Sequence, residues 1–535
     1  MAQRAIRCRR VSGSGCRIEK NRNMGKGATR DPLPNGAGAG AVLRKIEIWE
    51  KAQRAIRCRR VSGSGCCIEK NRNMGKGATC EPLPQGSGRN ARAFIGAKHR
   101  GSDMTTNEEN KLIASHIIQR LGEGGQPPEF GLSRINVGNE SYLNVLEHEY
   151  FQSLLKQGSS FKLVQGYFGG GKTHFLHCVR ELAWKYGFVT SLVELSPAEC
   201  PYDDALKVYQ NVANHLMLRP ESILEPPQLG ICNVVRHVVD KRLEEAAASS
   251  RQPQSDVAQW ITTKLMRVWC ESHSCRQAVA HLALACLQND YHREQMLEAW
   301  LLGENVTNTV ELRDCGVYEQ ITRSNGFTMM RSLLQMIVAL GLPGTVLLFD
   351  EVDRNMSVST KRSHIIGDNL RQVVDLCGRH QLPHTLFMYA VPPEFMRTVV
   401  PDYPALYQRL KSPVALSVRS PQAVLIDLEK LDLPPEDLLT QLGTKLVEVF
   451  EDARDVSFNH ATQAANAELL ARACTEACFE VNHRRLFVKS WVDFLYQQLA
   501  EGEIALTPED AKELMWSGQQ AVEQVEDVED DFDDF

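Results

Sequence analysis

FKLVQGYFGGGKTHFLHCVRELAWKYG, residues 161–187, is the stretch that decides the fold of this chain. It contains the pattern GxxxxGK[ST] at residues 166–173, between a short apolar run and a segment of helical character from Lys172 to Tyr186. A glycine-rich turn between a strand and a helix places backbone N–H groups at the helix N-terminus, where the helix dipole favours anions. The pattern therefore predicts a loop that binds the phosphates of a nucleotide.

Each position of this loop has an expected role. Lys172 reaches the β- and γ-phosphates and takes part in catalysis, and Thr173 places its hydroxyl on Mg²⁺. The backbone wraps the phosphates at the glycines, which are Gly166, Gly169, Gly170 and Gly171. The expected ligands are thus ATP and Mg²⁺, and the alternative is a glycine-rich turn that matches the pattern by chance.

A second motif lies far downstream, where the apolar run that starts at Leu347 ends in two acids, Asp350 and Glu351. Because the carboxyl ends of parallel strands meet at one edge of a sheet, Asp350 is expected near the glycine-rich loop, where it would hold Mg²⁺. Glu351 adjoins the metal without needing to bind it, which suits a general base for an attacking water. The alternative is that both acids stabilise the start of the next helix.

Outward from these motifs, short apolar runs alternate with helical patterns, which predicts an α/β fold around a parallel sheet. We expect the core of the fold to be formed by residues 104–218 and 341–430, separated by a mainly helical insertion at 219–340. A helical lid is expected at 431–516 and a solvated acidic tail at 517–535. The predicted strands span residues 161–164, 188–195, 345–350, 384–391 and 423–428.

Composition indicates an ordinary globular protein, with 43% hydrophobic and 24% charged residues. The apolar runs are too short to cross a bilayer, and the first residues lack the features of a secretory signal, so we expect a cytoplasmic protein with no membrane partner. Sixteen cysteines in such a chain indicate reduced thiols, and their local spacing matches no common zinc motif.

The first hundred residues contain a near-perfect duplication, in which residues 2–36 recur at 52–86. Residues 1–103 carry 23 Lys and Arg against 7 Asp and Glu, whereas the rest of the chain carries 38 against 59. The repeated units lack the periodic apolar face that a stacked repeat needs. Two interpretations stay open: a basic tether for nucleic acid, or a segment without a native fold that precedes a true start at Met104.

The two motifs together resemble the additional-strand, catalytic-glutamate branch of P-loop NTPases, which includes the AAA-like and STAND ATPases. More specifically, the stretches at 166–199, 323–354 and 403–410 resemble the ATP-binding proteins of BREX bacteriophage-exclusion systems. The resemblance covers about Ile113 to Leu499. It implies a P-loop NTPase sheet of the AAA-like kind, and defence-system proteins and DNA as partners.

Further roles follow from this resemblance alone. The segment 134–140, with Val137 and Gly138, resembles the wall of the adenine pocket, although Asn139 stands where related ATPases often have an arginine. Arg409 resembles an arginine finger that reaches the nucleotide of a neighbour in a homo-oligomer; the alternative is an exposed helix arginine. Arg484 resembles the sensor-2 arginine of a lid helix, with Arg485 as the competing choice.

These features predict a Mg²⁺-dependent ATPase that acts in a BREX-like anti-phage defence complex on DNA. The alternative is a nucleotide-gated switch or scaffold that hydrolyses ATP slowly and recruits partners such as a helicase or a methyltransferase. A small-molecule kinase is disfavoured, because Glu351 and a helical lid suit water as the acceptor. The presence of Glu351 favours hydrolysis over the switch.

Overall fold

The apolar runs that flank the two motifs pair into one sheet in the computed structural model. The structure describes residues 106–123, 125–222, 226–352, 360–379, 382, 384–395, 404–410, 414–477 and 483–519. The basic duplicated segment at 1–103 and the acidic residues from 523 onward lie outside these ranges. Within them the strands are β1 (Ser159–Gln165), β2 (Val189–Glu194), β3 (Leu216–Met217), β4 (Thr345–Asp350), β5 (Thr385–Val391) and β6 (Leu425–Asp427).

The strand order across the sheet is β3-β2-β4-β5-β1-β6. The pairings are parallel except for β2 with β3, which is antiparallel. Strand β5 lies between β1 and β4 and pairs with both of them, with Thr385 opposite Ser159 on one side and Thr345 on the other. The ends of β1 and β4 that carry the two motifs therefore open at the same edge of the sheet. The prediction of an α/β fold around a mostly parallel sheet is confirmed.

Alternate residues of the central strands pack into two different cores. On β4, Leu347 and Phe349 join one hydrophobic cluster, whereas Val346 and Leu348 join another. All six residues of β4 and all seven of β5 are buried. A strand covered on both faces by helices needs apolar side chains in both directions, which is why these runs show no polar alternation in the sequence.

The two faces are covered by different helices. One face packs against α3 (Lys172–Lys185) and against α2 (Glu140–Val145), which continues as a π-helical turn to Phe151. The other face packs against α4 (Ala205–Asn214) and the helices between β3 and β4. These are α5 (Ile231–Ser249), α6 (Pro253–Thr263), α7 (His273–Gln288), α8 (Tyr291–Leu301), α9 (Thr309–Asp314) and α10 (Gly326–Ala339). The insertion thus shares its core with the sheet.

The remaining helices are α11 (Thr360–Gly378), which follows β4, and α12 (Pro404–Leu410), which follows β5. Three further helices come after β6: α13 (Pro435–Arg454), α14 (His460–Ala477) and α15 (His483–Glu501), and residues 508–519 are also helical. The helices α13 to α15 form a third hydrophobic cluster, which also includes α1 (Thr106–Gly122). Although α1 precedes the sheet in the chain, its apolar face packs in the lid.

The strand limits differ from the sequence expectation by up to two residues at each end, and β4 agrees at both ends. One strand was not expected: β3, which follows α4. Helix α4 ends at Asn214, because Leu216 joins the sheet edge and pairs with Ser191. Strand β3 has two residues, too few for a period to show in the sequence.

Candidate functional site

A cavity of about 550 Å³ opens at the sheet edge where β1 and β4 end. Its walls come from the glycine-rich loop, from the end of β4, from the segment before α2, and from the lid helices α13 and α15. Two regions more than 150 residues apart in the chain thus meet in one space. The lining residues used below are Val137, Asn139, Lys172, Thr173, His174, Asp350, Glu351, Arg484 and Arg485.

The backbone of the loop has the conformation that its glycines permit. Gly169 and Gly171 adopt positive φ angles of 70° and 86°, a region that side chains disfavour. Gly171 is the N-cap of α3, so the helix starts at Lys172 with its free N–H groups directed at the cavity. Gly169 and Gly171 line the cavity, whereas Gly166 and Gly170 lie behind it and bond through their carbonyl groups.

The side chain of Lys172 folds back over the loop. Its Nζ donates to the carbonyl oxygens of Gly166 at 3.1 Å and Tyr167 at 3.0 Å. Both of these acceptors are neutral carbonyl oxygens. An incoming anionic oxygen would be a stronger acceptor than either carbonyl group.

The two motifs are joined by one short hydrogen bond, in which Thr173 Oγ1 donates to Asp350 Oδ2 at 2.6 Å. The other carboxylate oxygen of Asp350 accepts from the backbone N–H of Glu351 at 2.9 Å. Asp350 is buried, with 3% of its surface exposed. A buried carboxylate with both oxygens bonded has a fixed position, which a metal ligand requires.

Glu351 has a left-handed backbone, with φ at 54°. This conformation is uncommon for a residue with a side chain and costs on the order of 1–3 kcal/mol. Its side chain lines the cavity next to Asp350. Strain of this kind concentrates at functional sites, and here it lies at a residue that lines the cavity beside Asp350.

Arg484 connects the lid to the loop. Its guanidinium group donates to the carbonyl oxygens of Gly170 and, at 3.1 Å, Leu428. Burial lowers the pKa of Arg484, and the nearby carboxylate of Glu429 opposes that shift. Arg485 also lines the cavity, but the loop contact belongs to Arg484.

Glu429 is a site residue that was not predicted from the sequence. Its Oε1 accepts from the backbone N–H of Tyr167 at 2.9 Å, and it lies so close to Gly170 that a Cβ added there would approach it to 2.8 Å. A larger residue at position 170 would therefore collide with this carboxylate. Glu429 follows β6 at the same edge of the sheet as Asp350, but its place beside the loop depends on the pairing of β6 with β1, which no local pattern in the sequence gives.

The segment before α2 forms the opposite wall. Val137 lines the cavity and is buried, whereas Gly138 lies behind it with φ at 81°, where a Cβ would approach Leu431 and Leu438 to 3.1 Å. Around Val137 the wall is apolar, with Leu121, Ile135, Leu438, Leu442 and Val488. An apolar slot beside a glycine-rich loop at a helix N-terminus suits the flat face of a base.

One polar side chain in this wall is incompletely bonded. Asn139 is 5% exposed, its Nδ2 donates to Asn136 Oδ1 at 3.2 Å, and its own Oδ1 is buried without a hydrogen-bond partner. His174 Nε2 lies 3.3 Å from Asn136 Oδ1, and Cys178 Sγ donates to it at 3.6 Å. Burial, and then the charge of Arg484, lower the pKa of His174 to about 4, so its ring is neutral at pH 7.

Arg409 lies away from this cavity. It is half-buried on α12 and forms a two-pronged ion pair with Asp375 of α11, with Nη2 at 3.1 Å from Oδ2. Asp375 lines a separate, larger groove of about 1000 Å³ that contains none of the predicted nucleotide-site residues. The role of Arg409 as a finger stays a prediction.

Comparison with known proteins identifies the family of this chain. A family model described as the BREX system ATP-binding protein BrxC/D matches residues 110–508, which is more than half of the chain. Neither the curated proteins nor the solved structures provide a match. Among the described residues, no helix combines the length and apolarity that a membrane crossing needs. By its match to the family model, the chain belongs to the BrxC/D family of BREX system ATP-binding proteins.

Proposed function

We propose that the chain is a Mg²⁺-dependent ATPase that binds and hydrolyses ATP in the cavity at the sheet edge. The observation that carries this proposal is the contact of Thr173 Oγ1 with Asp350 Oδ2 at 2.6 Å, beside the glycine-rich loop. A hydroxyl and a carboxylate from distant parts of the chain meet there. Oxygen ligands of this kind are those that Mg²⁺ prefers, and it usually takes one or two from the protein and others from phosphates.

The strand order supports the class of ATPase. Strand β5 separates β1, which carries the glycine-rich loop, from β4, which carries the acids. This is the arrangement expected of the additional-strand branch of P-loop NTPases, which the sequence resembles. In that branch a glutamate next to the metal-binding aspartate activates water, and Glu351 occupies this position.

The cavity also fits the base and the phosphates of ATP. Asn139 Oδ1 is a buried acceptor without a partner, a state that costs roughly 1–3 kcal/mol. The exocyclic amine of adenine is a donor that can satisfy it. The apolar wall around Val137 would cover the base, and the N–H groups at the start of α3 would bind the phosphates.

The catalytic roles follow from the positions of the side chains. Thr173 and Asp350 would hold Mg²⁺, which when bound neutralises charge on the phosphate oxygens. Lys172 would exchange its two carbonyl acceptors for phosphate oxygens. Glu351 would accept a proton from the attacking water, and Arg484 would bring positive charge from the lid to the loop.

The process that ATP hydrolysis would drive is inferred from the family to which the chain belongs. The chain belongs to a BREX family, and we propose that its ATPase acts in an anti-phage defence complex on DNA. A slowly hydrolysing switch that recruits a helicase or a methyltransferase is the alternative. The presence of Glu351 in the cavity, with its strained backbone, favours the ATPase, because a pure switch has no need of a general base.

Steady-state ATP turnover of the full chain tests the proposal. Lys172→Ala is expected to lose ATP binding, because the side-chain cation expected on the β- and γ-phosphates is removed. Glu351→Gln is expected to keep binding and to lose at least ~100-fold in turnover, the usual contribution of a general base. Omission of Mg²⁺ should abolish turnover in the wild type.

Two surface variants provide matched controls. Lys156→Ala and Glu149→Gln make the same chemical changes at exposed positions outside the cavity and should turn over like the wild type. Normal turnover by Glu351→Gln would refute its role as the base. Slow wild-type turnover that rises only on addition of a partner would support the switch, and an increase with DNA would support direct action on DNA.

A further inference from the structure

The helical insertion contains a buried cluster of sulfur and carboxylate groups far from the nucleotide cavity in sequence. Cys232 lies on α5, Cys286 on α7 and Glu294 on α8, and they are 3%, 8% and 4% exposed. Their ligand atoms all lie within 4.8 Å of one another. Among the described residues this is the group of His, Cys and acidic side chains with the geometry to hold a metal ion.

The carboxylate of Glu294 is incompletely satisfied. Its Oε1 is paired with Arg236 and accepts from Cys232 Sγ at 3.4 Å, whereas its Oε2 is buried without a hydrogen-bond partner. Leaving a buried charged acceptor without a partner is costly. A cation between Oε2 and the two sulfur atoms would remove that cost, and this observation is independent of the clustering.

The donor set selects one kind of metal. Two thiolates and one carboxylate suit Zn²⁺, whereas Mg²⁺ and Ca²⁺ take oxygen ligands. Zinc bonds of about 2.3 Å to sulfur and about 2.0 Å to oxygen place tetrahedral ligands roughly 3.5–3.8 Å apart. The ligand atoms of the three residues lie within 4.8 Å of one another, about 1 Å more than this spacing. Cys232 Sγ is already 3.4 Å from Oε1 of the same carboxylate, the oxygen that Arg236 holds.

Two neighbouring side chains complete the surroundings. Arg236, one helical turn after Cys232, holds Glu294 by its other oxygen, which is the usual arrangement around a ligating carboxylate. Its positive charge also offsets the excess negative charge of two thiolates and a carboxylate. Glu298, one turn after Glu294, interacts with Cys232, and burial raises its pKa. It is a candidate for the fourth position, which water could otherwise fill.

We propose that Cys232, Cys286 and Glu294 bind one Zn²⁺ that joins helices α5, α7 and α8. On binding, each thiol gives up its proton to solvent and its sulfur forms a bond to the metal, so two protons leave and no electrons are transferred. The three ligands lie on three different helices and 54 or more residues separate the first from the others. The site therefore fixes the packing of these three helices on one another.

Cobalt substitution tests this site in the full chain. Reduced, chelator-treated protein is expected to bind one equivalent of Co²⁺ with the strong visible absorption of a tetrahedral ion and a sulfur charge-transfer band, and Zn²⁺ should bleach both. The double variant Cys232→Ser, Cys286→Ser should lose the charge-transfer band. Glu294→Gln, which keeps the side-chain volume, should keep the band and bind at least ~10-fold more weakly.

The chain offers a matched control. Cys270 and Cys275 form a second pair of buried, interacting cysteines in the same insertion, but without a third ligand at the same distance. Cys270→Ser, Cys275→Ser should therefore leave the cobalt spectrum unchanged. An unchanged spectrum in the Cys232, Cys286 variant, no thiolate band in the wild type, or a disulfide between Cys232 and Cys286 in protein purified with reductant would each overturn the proposal. None of these outcomes bears on ATP turnover.

Discussion

Replacement of Asn139 by alanine tests the nucleotide cavity at the point where its chemistry is most specific. Asn139 lines the cavity, its Nδ2 is held by Asn136, and its Oδ1 is buried without a hydrogen-bond partner. Adenine offers an amine to this acceptor, whereas guanine offers a carbonyl oxygen and would leave two acceptors facing each other. A buried unsatisfied acceptor costs about 1–3 kcal/mol. The wild type should therefore bind ATP about 5- to 150-fold more tightly than GTP.

In Asn139→Ala the acceptor is gone, and the preference for ATP over GTP should fall close to one. Affinity for ATP itself should fall only about 2- to 12-fold, the net value of one neutral hydrogen bond. The fold should survive, because Asn136 Oδ1 retains His174 and Cys178 as neighbours. Asn144→Ala is a matched control, since Asn144 is exposed on α2 and does not line the cavity.

Equilibrium titration with ATP, GTP and the purine nucleoside triphosphate that lacks the 6-amino group completes the test. The wild type should discriminate against the deamino nucleotide, and Asn139→Ala should bind it as tightly as ATP. If the wild type bound ATP and GTP alike, or if Asn139→Ala kept the preference of the wild type, the base would be recognised elsewhere and the reasoning would be refuted.

Two further predictions concern other residues. If Arg409 completes the site of a neighbouring subunit, Arg409→Ala and Glu351→Gln should each be inactive alone. A mixture of the two should regain turnover, because a site that takes Glu351 from the first variant and Arg409 from the second is intact. A mixture as inactive as its two components would exclude the finger. His177 is buried, and burial, followed by the charge of Arg180, lowers its pKa to about 3. The neutral ring therefore contributes fully to the free energy of unfolding above the unfolded pKa of about 6.5, and this contribution is lost as the pH falls towards 3. His177→Gln removes the titrating ring and can keep the hydrogen bond to Pro128. In urea denaturation, the free energy of unfolding of this variant should fall less steeply than that of the wild type, by about 1.4 kcal/mol per pH unit between pH 6.5 and 3. An unchanged slope would contradict the assignment.

The sheet, the glycine-rich loop and Asp350 could be predicted, because each has a recognisable pattern in a short stretch of sequence. Strands such as β4 are continuous apolar runs, and the loop at 166–173 joins a strand to a helix in a pattern with a physical reason. Parallel strands open at one edge, which was enough to bring Asp350 to Thr173 across 177 positions. No contact had to be known in advance for that inference.

The rest depends on contacts that no local pattern carries. Glu429 reaches the loop only because β6 pairs with β1, and the sequence does not state which strands are neighbours. The resemblance led us to expect the segment of Asn139 at the adenine pocket, but the unpartnered oxygen of Asn139 depends on the contact of its Nδ2 with Asn136. Likewise Cys232 and Cys286 show no zinc spacing, since packing of separate helices brings them together.

The position of Arg484 indicates how the lid and the nucleotide would influence each other. It is the lid residue that bonds to the glycine-rich loop, through the carbonyl oxygen of Gly170. Its partner there is neutral, and Glu429, which bonds to the same loop, supplies the nearby negative charge. A bound triphosphate would offer Arg484 a far stronger acceptor than a carbonyl oxygen. Arg484 lies on α15, which packs in one hydrophobic core with α13, α14 and α1. Because such a core resists local deformation, a shift of Arg484 towards phosphate would move these helices together. The lid is therefore the element through which the nucleotide state would reach a partner.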